Sequence, residues 1–189
     1  MIIGPASSRH LPTIIAMRDE ASAWLATRGI DQWRQPWPSH DAMADRIAAS
    51  IDAGETWMVH DGGRVVATVA VDRYADPGLW TPSQRDEPAH YIHRLIVRRS
   101  NARTGIGAAI LDWIDHRAAS EHVRWLRIDV WTDNVGLQDY YRRRGFVYVR
   151  TSDLAGYPSG ALFQRPVDPR TESPAELQTA ERELPDLAL

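Results

Sequence analysis

The stretch RTGIGAAILDWID, residues 103–115, decides the fold, because a short glycine turn runs directly into an amphipathic helix. The segment HYIHRLIV, residues 90–97, precedes it, and its closing Leu-Ile-Val run is typical of a strand covered on both faces. A strand that ends in a glycine turn and feeds a helix leaves several backbone N–H groups pointing one way. Such a helix start favours the binding of an anion.

The residue types in this turn suit a phosphate group. Gly105 and Gly107 carry no side chain where a phosphate would approach most closely. Arg98, Arg99 and Arg103 lie within reach of the remaining negative charge. Paired glycines before a helix also occur for packing reasons, so this stretch alone leaves packing and phosphate binding as two open interpretations.

Two nucleotide-binding motifs are excluded by the same residues. The dinucleotide fingerprint requires a third glycine, but the position three after Gly107 is Ile110. A P-loop requires a lysine, and the chain has none, since all 22 of its Lys/Arg positions are arginine. We interpret this use of arginine as the codon preference of a GC-rich bacterial genome.

Length and composition predict one domain. The 189 residues, 43% of them hydrophobic, suffice for a single buried core. No apolar run approaches a membrane span, and the first residues lack a signal peptide's features, so we expect a cytoplasmic protein that does not act at a membrane. The absence of cysteine excludes disulfides, thiolate metal sites and a cysteine nucleophile. A formal net charge of −3 disfavours nucleic acid as a partner.

The apolar pattern alternates between strand and helix periods, which predicts an α/β or α+β sheet domain. Residues 75–88 are predicted to form a proline-bearing loop, and residues 168–189 a polar C-terminal tail with room for one short helix. The expected strands are 1–6, two around the 61–63 turn within 56–74, 90–97, 123–131, 146–152 and 160–167; the expected helices are 7–29, 39–53, 103–115 and 136–144.

A second motif, DNVGLQDYYRRRGF at residues 133–146, strengthens the phosphate interpretation. Together the two motifs resemble the GCN5-related N-acetyltransferase (GNAT) family, whose acetyl-CoA motif is Q/R-x-x-G-x-G/A and is followed by N, L-Y and G-F. The first motif falls on residues 102–107 and the second on Asn134, Tyr141, Gly145 and Phe146. Two departures are that Ala102 replaces the usual glutamine or arginine and that Tyr140 replaces the leucine of L-Y.

The resemblance implies a single GNAT-like domain over residues 1–167, with a mixed, mostly antiparallel sheet of about six to seven strands and about four helices. It also implies acetyl-CoA as the co-substrate, with Asn134 bonding the pantetheine arm or an ordered water and Tyr141 facing the sulfur as general acid. The structural alternatives are a helix N-cap for Asn134 and a core aromatic for Tyr141. The resemblance further assigns the pantetheine to Leu95, Ile96 and Val97 and the pyrophosphate to the amides of Arg103, Thr104, Gly105, Ile106, Gly107 and Ala108, with Arg98 nearby.

A general base would be needed only for a strongly basic amine, and Asp129 and His93 are the candidates. Asp129 has the alternative of pairing with Arg127 or Arg94, and His93 that of a structural group. His90 and His122 are expected at the surface. His90 and His93 are expected to face opposite ways, so no metal site is predicted.

The acceptor pocket in this family is shaped by the first helical region and nearby loops. The resemblance therefore assigns four aromatic residues to this pocket: Trp33, Trp37, Tyr74 and Trp80. Packing in the hydrophobic core is the alternative for the same residues. The resemblance implies an N-acetyltransferase that moves acetyl to a small-molecule or peptide amine by direct attack in a ternary complex. Two alternatives stay open: a non-catalytic acyl-CoA-binding or sensing domain, and a transferase with another acyl donor such as aminoacyl-tRNA. A homodimer is compatible with the resemblance.

Overall fold

The computed structural model describes residues 1–36, 39–152, 154 and 156–180. Five α-helices and eight β-strands occur in this part of the chain, slightly more than the about four helices and about six to seven strands that the sequence predicts. The helices are α1 Leu11–Ala26, α2 His40–Asp52, α3 Pro82–Arg85, α4 Ile106–Ser120 and α5 Val135–Arg143. The strands are β1 Ile2–Pro5, β2 Thr56–Asp61, β3 Arg64–Asp72, β4 Ala89–Val97, β5 Trp125–Val130, β6 Val147–Thr151, β7 Ala161–Pro166 and β8 Gln178–Thr179.

The strands hydrogen-bond in the order β6-β7-β5-β4-β3-β2-β1-β8. The pairs β1–β2, β2–β3, β5–β7 and β6–β7 are antiparallel, whereas β4–β5 and β1–β8 are parallel. This is the mixed, mostly antiparallel sheet that the sequence predicts. None of the helices in the described residues is both long enough and apolar enough to cross a bilayer.

The chain divides into two compact units. The first contains Met1–Ala70, Arg94–Leu111 and the described residues from Ser173, and the second contains Val71–His93 and Asp112–Glu172. The core of the first unit packs α1 and α2 against β1 to β3 through residues Ala6, Ile14, Met17, Met43, Ile47, Ile51, Met58, Val65 and Ile96. A core cluster in the second unit contains Leu79, Trp80, Ala89, Tyr91 and Leu162.

Local signals explain most element boundaries. The hydroxyl of Ser39 accepts a hydrogen bond from the amide of Ala42 at 3.2 Å and so caps α2. The β2–β3 turn contains Gly62 and Gly63 at φ +56° and +80°, which matches the hairpin predicted from Asp61-Gly62-Gly63. In β4, Ile96 is buried, but Leu95 and Val97 are only half-buried, so the strand end is less covered than its apolar run predicts.

The segment 75–88 is not a plain loop, because α3 forms within it. Thr81 and Gln84 cap this turn reciprocally: the Thr81 amide donates to Gln84 Oε1 at 3.1 Å, and the Gln84 amide donates to the Thr81 hydroxyl at 3.3 Å. Pro82 occupies the first turn, where its missing N–H costs nothing. The capping box outweighs the loop character that the prolines suggest.

The C-terminal segment adds a strand at the edge of β1. The Gln178 amide donates to the Met1 carbonyl at 3.1 Å and the Ala180 amide donates to the Ile3 carbonyl at 2.7 Å. Leu177, directly before the strand, is fully buried. These bonds pair backbone groups of β1 that would otherwise lie at an open sheet edge.

Candidate functional site

The turn between β4 and α4, residues 98–108, is here called the glycine loop. It begins with a 3-10 turn at Arg99–Asn101 and ends in the first turn of α4. Arg103 and Gly105 adopt φ of +67° and +90°, the left-handed region in which glycine has no steric penalty. A Cβ built on Gly105 meets no heavy atom within 4 Å, so the space beside this residue is open.

The amides of the glycine loop are available to a ligand. Ala108 and Ala109 both donate their amides to the Gly105 carbonyl, at 2.9 and 3.0 Å. Within the described residues, no protein acceptor bonds the N–H groups of residues 103–107. Unpaired amides that precede a helix form a concave donor array suited to an oxyanion.

Two of the three arginines near this loop are already held by the protein. Arg98 donates its Nε to the Val65 carbonyl at 2.9 Å and pairs with Glu20 at 3.4 Å. The guanidinium of Arg99 lies 3.6 Å from the ring centroid of Trp24. The backbone amide of Arg99 donates to Glu20 Oε1 at 3.1 Å. Arg103 is exposed, and none of the described residues pairs with its side chain.

The strand end before the loop contains an irregular residue. Arg94 has φ +49° inside β4, immediately before the half-buried Leu95. A non-glycine residue in the left-handed region locally redirects a strand and its side chains. The segment Leu95 to Val97 thus follows a kink, and Val97 leads directly into the glycine loop.

In the second unit, Asn134 caps α5. Its side-chain oxygen accepts a hydrogen bond from the Leu137 amide at 3.0 Å, and the residue is 5% exposed. The helix N-cap, which the sequence gives as the structural alternative for Asn134, is therefore present.

Tyr141 lies on the buried face of α5 and is 3% exposed. Its ring packs edge-on against Tyr140 and Phe146, with centroids 5.3 and 5.5 Å away. No hydrogen bond joins the Tyr141 hydroxyl to the rest of the described chain. Burial raises the pKa of Tyr141 well above its usual value, and the neighbouring Tyr140 and Asp129 raise it further, so the hydroxyl stays protonated.

Four side chains of the second unit, Asp72, His93, Asp129 and Tyr157, form what we call the acid–base cluster. His93 Nε2 lies 3.2 Å from Asp72 Oδ2, and His93 Nδ1 lies 3.6 Å from Asp129 Oδ1. The Tyr157 hydroxyl donates to Asp129 Oδ2 at 2.7 Å. The two residues predicted as candidate bases, His93 and Asp129, are therefore brought together.

Arg127 does not pair with Asp129. Its fully buried guanidinium pairs with Glu87, donates to the Gln84 carbonyl and lies 5.0 Å from the ring centroid of Trp80. Because side chains alternate along β5, Asp129 shares a strand face with Arg127, but the α3 segment supplies the arginine with other partners. The pairing of Asp129 with Arg127 was wrong.

The predicted pocket aromatics have different surroundings. Trp33 is half-buried against the core of the first unit, and Trp80 is 2% exposed in the core of the second. Tyr74 is 68% exposed. Trp37 lies outside the described residues.

The segment around Trp80 is clamped by two arginines. Arg127 bonds Glu87 and the Gln84 carbonyl, as described above, and Arg150 donates to the Leu79 carbonyl and to Gln84 Oε1. The segment 79–87 is thus tied to β5 and β6 by partly buried, charge-assisted hydrogen bonds.

His90 is buried at 3% exposure, with Nε2 3.1 Å from Glu121, whereas the sequence suggested a surface position. Glu121 supplies the polar partner that burial of a histidine requires. His122 is exposed, as expected. No group of three or more His, Asp or Glu side chains that could hold a metal ion occurs among the described residues.

A sequence model described as the acetyltransferase (GNAT) family matches residues 20–146, more than half of the chain. The chain belongs to this family. It is a GNAT-type N-acetyltransferase, in agreement with its curated relative, the uncharacterized N-acetyltransferase YesJ of Bacillus subtilis (strain 168). The two sequences are 28% identical over 166 residues, which cover 86% of this chain and 88% of YesJ.

Solved GNAT structures share the fold. A GNAT-family acetyltransferase from Listeria monocytogenes has a TM-score of 0.70 and 20% identity, and covers 87% of this chain and 93% of its own. The PaiA N-acetyltransferase of Thermoplasma acidophilum, solved in complex with coenzyme A, has a TM-score of 0.64 and 14% identity over 87% of this chain and 97% of its own. At this identity the similarity establishes the architecture.

Three residues in these surroundings were missed by sequence reasoning: Glu20, Asp72 and Tyr157. Glu20 lies in the middle of α1, and its acidic side chain gives no signal that it bonds the glycine loop. Asp72 ends β3 and was indistinguishable from a turn residue. Tyr157 lies in a Gly- and Pro-bearing connection, where an aromatic residue that follows Gly156 could at most have indicated a packed loop.

Proposed function

We propose that the enzyme transfers the acetyl group of acetyl-CoA to the amine of a small molecule or peptide, by direct attack in a ternary complex. The observation that carries the proposal is the run of N–H groups at residues 103–107 without acceptors in the described protein. Their array at the start of α4 suits the pyrophosphate of coenzyme A, and the exposed Arg103 adds a positive charge. The likeness to PaiA, whose structure contains coenzyme A, supports the same ligand.

The remaining contacts to the co-substrate follow the chain on both sides of the loop. In this proposal the backbone of Leu95, Ile96 and Val97 pairs with the pantetheine arm, whose amides resemble a peptide. The side-chain amide nitrogen of Asn134 bonds the arm near the thioester. Arg98 steadies the loop through Glu20 and Val65 and does not itself serve as a phosphate ligand, because its guanidinium already has protein partners.

Tyr141 acts on the leaving group in the proposed reaction. The amine nitrogen forms a bond to the thioester carbon, the C–S bond breaks, and the sulfur leaves as a thiolate. A thiol has a pKa of about 8.5, below that of a tyrosine, so full proton transfer from the buried Tyr141 is uphill. We therefore assign Tyr141 a hydrogen bond that strengthens as charge develops on the sulfur.

The acceptor amine must be neutral when it attacks. At pH 7 an alkylamine with a pKa near 10.4 costs roughly 4 to 5 kcal/mol to deprotonate, whereas an α-amine near 8 costs only about 1 kcal/mol. A basic amine thus needs help from a base, and the acid–base cluster contains the candidates. The absence of cysteine from the whole chain favours direct attack over an acyl-cysteine intermediate.

Tyr74 and Trp33 remain our proposed contacts for the body of the acceptor. Tyr74 is largely exposed, and Trp33 is half-buried at the end of the first helical region. Trp80 has no surface to offer an acceptor, and we assign it a supporting role beneath the clamped 79–87 segment.

The test is calorimetric titration of acetyl-CoA into the protein, followed by thiol release against a panel of alkylamines, amino acids and peptide N-termini. For Tyr141→Phe we expect an unchanged Kd and a kcat about 100-fold lower, within the range of a lost general acid. Tyr140→Phe is the matched control, since Tyr140 lies next to it but is only half-buried, and it should retain most activity.

Three outcomes would contradict the proposal. If neither acetyl-CoA nor a longer acyl-CoA binds, the glycine loop is a turn that serves packing and not phosphate binding. Binding without thiol release for every amine would favour an acyl-CoA-sensing domain. Equal losses in Tyr141→Phe and Tyr140→Phe would remove Tyr141 from the chemistry.

A further inference from the structure

The first two residues of the glycine loop are anchored to other elements of the first unit. Arg98 is bound to β3: its backbone amide donates to the Val66 carbonyl at 2.8 Å, and its Nε donates to the Val65 carbonyl at 2.9 Å. Arg99 is bound to α1, because its backbone amide donates to Glu20 Oε1 at 3.1 Å. The loop therefore leaves the sheet from a fixed base.

Two side chains of α1 hold Arg99 by different groups. Glu20 and Trp24 are four positions apart, so they lie on the same face of the helix. Glu20 accepts the backbone amide of Arg99, and the ring centroid of Trp24 lies 3.6 Å from its guanidinium. A guanidinium over an indole ring is an attractive contact. One helix face thus holds both the backbone and the side chain of Arg99.

Hydrogen bonds within the loop lead from Arg99 to the donor array, residues 103–107. Ala102, which directly precedes the array, donates its amide to the Arg99 carbonyl at 3.2 Å. The Thr104 hydroxyl, inside the array, donates to the Asn101 carbonyl at 2.7 Å. The position of Arg99 therefore sets the direction in which the amides of the array point.

A carboxylate is an unexpected neighbour for a loop that binds an anion. The negative charge of Glu20 opposes the approach of a pyrophosphate. Its ion pair with Arg98 is long at 3.4 Å, and both side chains are about one third exposed, so water screens the pair. The contact that reaches the loop backbone is the one between Glu20 Oε1 and the Arg99 amide, and this contact requires an oxygen and not a charge.

We propose that Glu20 is a positioning residue of the co-substrate site. Its side-chain oxygen fixes Arg99 and thereby the donor array, Trp24 supplies the second contact to Arg99, and the charge of Glu20 is unfavourable to the ligand. This inference rests on the proposed binding of acetyl-CoA and specifies what orders the site before acetyl-CoA arrives. A loop that is already ordered binds more tightly, because the ligand does not have to order it.

The central test compares two substitutions of Glu20 by calorimetric titration of acetyl-CoA. Glu20→Ala removes both the oxygen and the charge and should weaken binding about 10-fold, since the Arg99 amide loses a charge-assisted acceptor. Glu20→Gln keeps an acceptor oxygen and removes the charge, so its Kd should equal the wild-type value or fall below it. An equal loss in both variants would show that the ion pair with Arg98 matters, and an unchanged Kd in Glu20→Ala would show that neither contact matters; both results would overturn the proposal.

The role of Trp24 is tested by a double-mutant cycle. Trp24→Leu keeps an apolar side chain but removes the contact with the guanidinium, and it should weaken binding about 3-fold. The double variant that combines Glu20→Ala with Trp24→Leu should lose less than the product of about 30-fold, because either substitution already loosens Arg99. A loss equal to the product would mean that the two side chains act on different parts of the loop, which would contradict their shared hold on Arg99.

Hydrogen exchange provides a measurement that needs no ligand. In Glu20→Ala the amides of Arg99 and of the rest of the glycine loop should exchange faster than in the wild type, whereas Glu20→Gln should restore their protection. The amides of α2 should be unchanged in both variants, which reports that the fold is intact. Loop exchange that is the same in Glu20→Ala and in the wild type would overturn the proposal.

Asp19 offers a matched control, because it is the preceding residue of α1. Its side chain is 54% exposed and bonds Arg18 instead of the loop. Asp19→Ala and Asp19→Asn should both leave the Kd of acetyl-CoA unchanged; a loss in Asp19→Ala as large as in Glu20→Ala would attribute the effect to the charge of α1 and not to Glu20. If the wild-type protein does not bind acetyl-CoA, the proposed function fails, and hydrogen exchange still decides whether Glu20 orders the loop. If the wild-type protein binds acetyl-CoA and Glu20→Ala binds it equally well, only the role of Glu20 fails.

Discussion

The glycine loop and the acid–base cluster use different parts of the chain. The loop presents backbone amides, and its residues 103–105 are exposed. The cluster presents side chains, and its Asp129 side chain is only 10% exposed. The difference teaches that the loop depends on backbone conformation, so most side-chain changes there are mild, whereas each cluster member is defined by its functional group.

The largest expected effect tests whether two regions, the glycine loop and the surroundings of Tyr141, act independently. Gly105→Ala should affect co-substrate binding and Tyr141→Phe should affect chemistry, so the double variant should lose kcat/KM by the product of the two, about 1,000-fold. Measurement of all four proteins of the double-mutant cycle checks this. A coupling larger than about tenfold would show that the two regions are not separable.

The next effect isolates the backbone of the loop. Gly105 has φ +90°, where an alanine is strained by about 1 to 2 kcal/mol, so Gly105→Ala should weaken acetyl-CoA binding by about 5- to 30-fold with little change in kcat. Calorimetry gives the Kd directly.

Gly54→Ala is the matched control for Gly105→Ala. Gly54 has φ +71° and equally open surroundings, but it lies in the turn after α2. Gly54→Ala should lower the free energy of unfolding by about as much as Gly105→Ala does, while the Kd of acetyl-CoA stays at the wild-type value. A weaker Kd in both variants would mean that the effect at Gly105 is global.

A smaller effect is expected from the exposed cation of the loop. Arg103→Gln should weaken acetyl-CoA binding by only about 2- to 3-fold, because an exposed charge contributes at most about 1 kcal/mol. The difference between variant and wild type should vanish as salt is raised, since screening removes the same attraction. A loss above tenfold, or one that persists in high salt, would show that the arginine side chain holds the ligand more directly than the backbone does.

The smallest expected effect is a pH dependence of folding stability that arises from His90, which lies on β4 outside the acid–base cluster. Burial lowers the pKa of His90, although the nearby Glu121 carboxylate opposes the shift. The unfolded chain therefore takes up the proton first as pH falls below about 6.5, and folding stability that is complete above this pH is lost in acid. Thermal melts should show a drop of a few degrees from pH 7.5 to pH 5.5, smaller in His90→Gln; an equal drop in both would exclude His90 as its cause.

Sequence reasoning succeeded where the signal is local. The glycine spacing at 105 and 107, the capping position of Asn134 and the buried helix face of Tyr141 each follow from neighbours within about one helical turn. The same locality gave the hairpin at Gly62-Gly63 and the bounds of α2. The GNAT resemblance rests on these local patterns, and the family match confirms it.

The remaining parts depend on contacts between distant residues, which one sequence does not display. Successive members of the acid–base cluster, Asp72, His93, Asp129 and Tyr157, are 21 to 36 positions apart, and the folding of the chain brings them together. Arg127 was mispaired for the same reason, since its partner Glu87 lies in a segment predicted as a loop. Trp80 looked like a pocket wall because nothing local reveals that Arg127 and Tyr91 cover it.

The arginine clamps on residues 79–87 bear on how the enzyme turns over. To swing open, this segment would have to separate the fully buried Arg127 from Glu87 and strip Arg150 from the Leu79 carbonyl. Separating a fully buried arginine from its carboxylate partner is costly, so we expect residues 79–87 to stay fixed. The ordering entropy of residues 79–87 is spent when the chain folds, so this segment needs no further ordering at a later step.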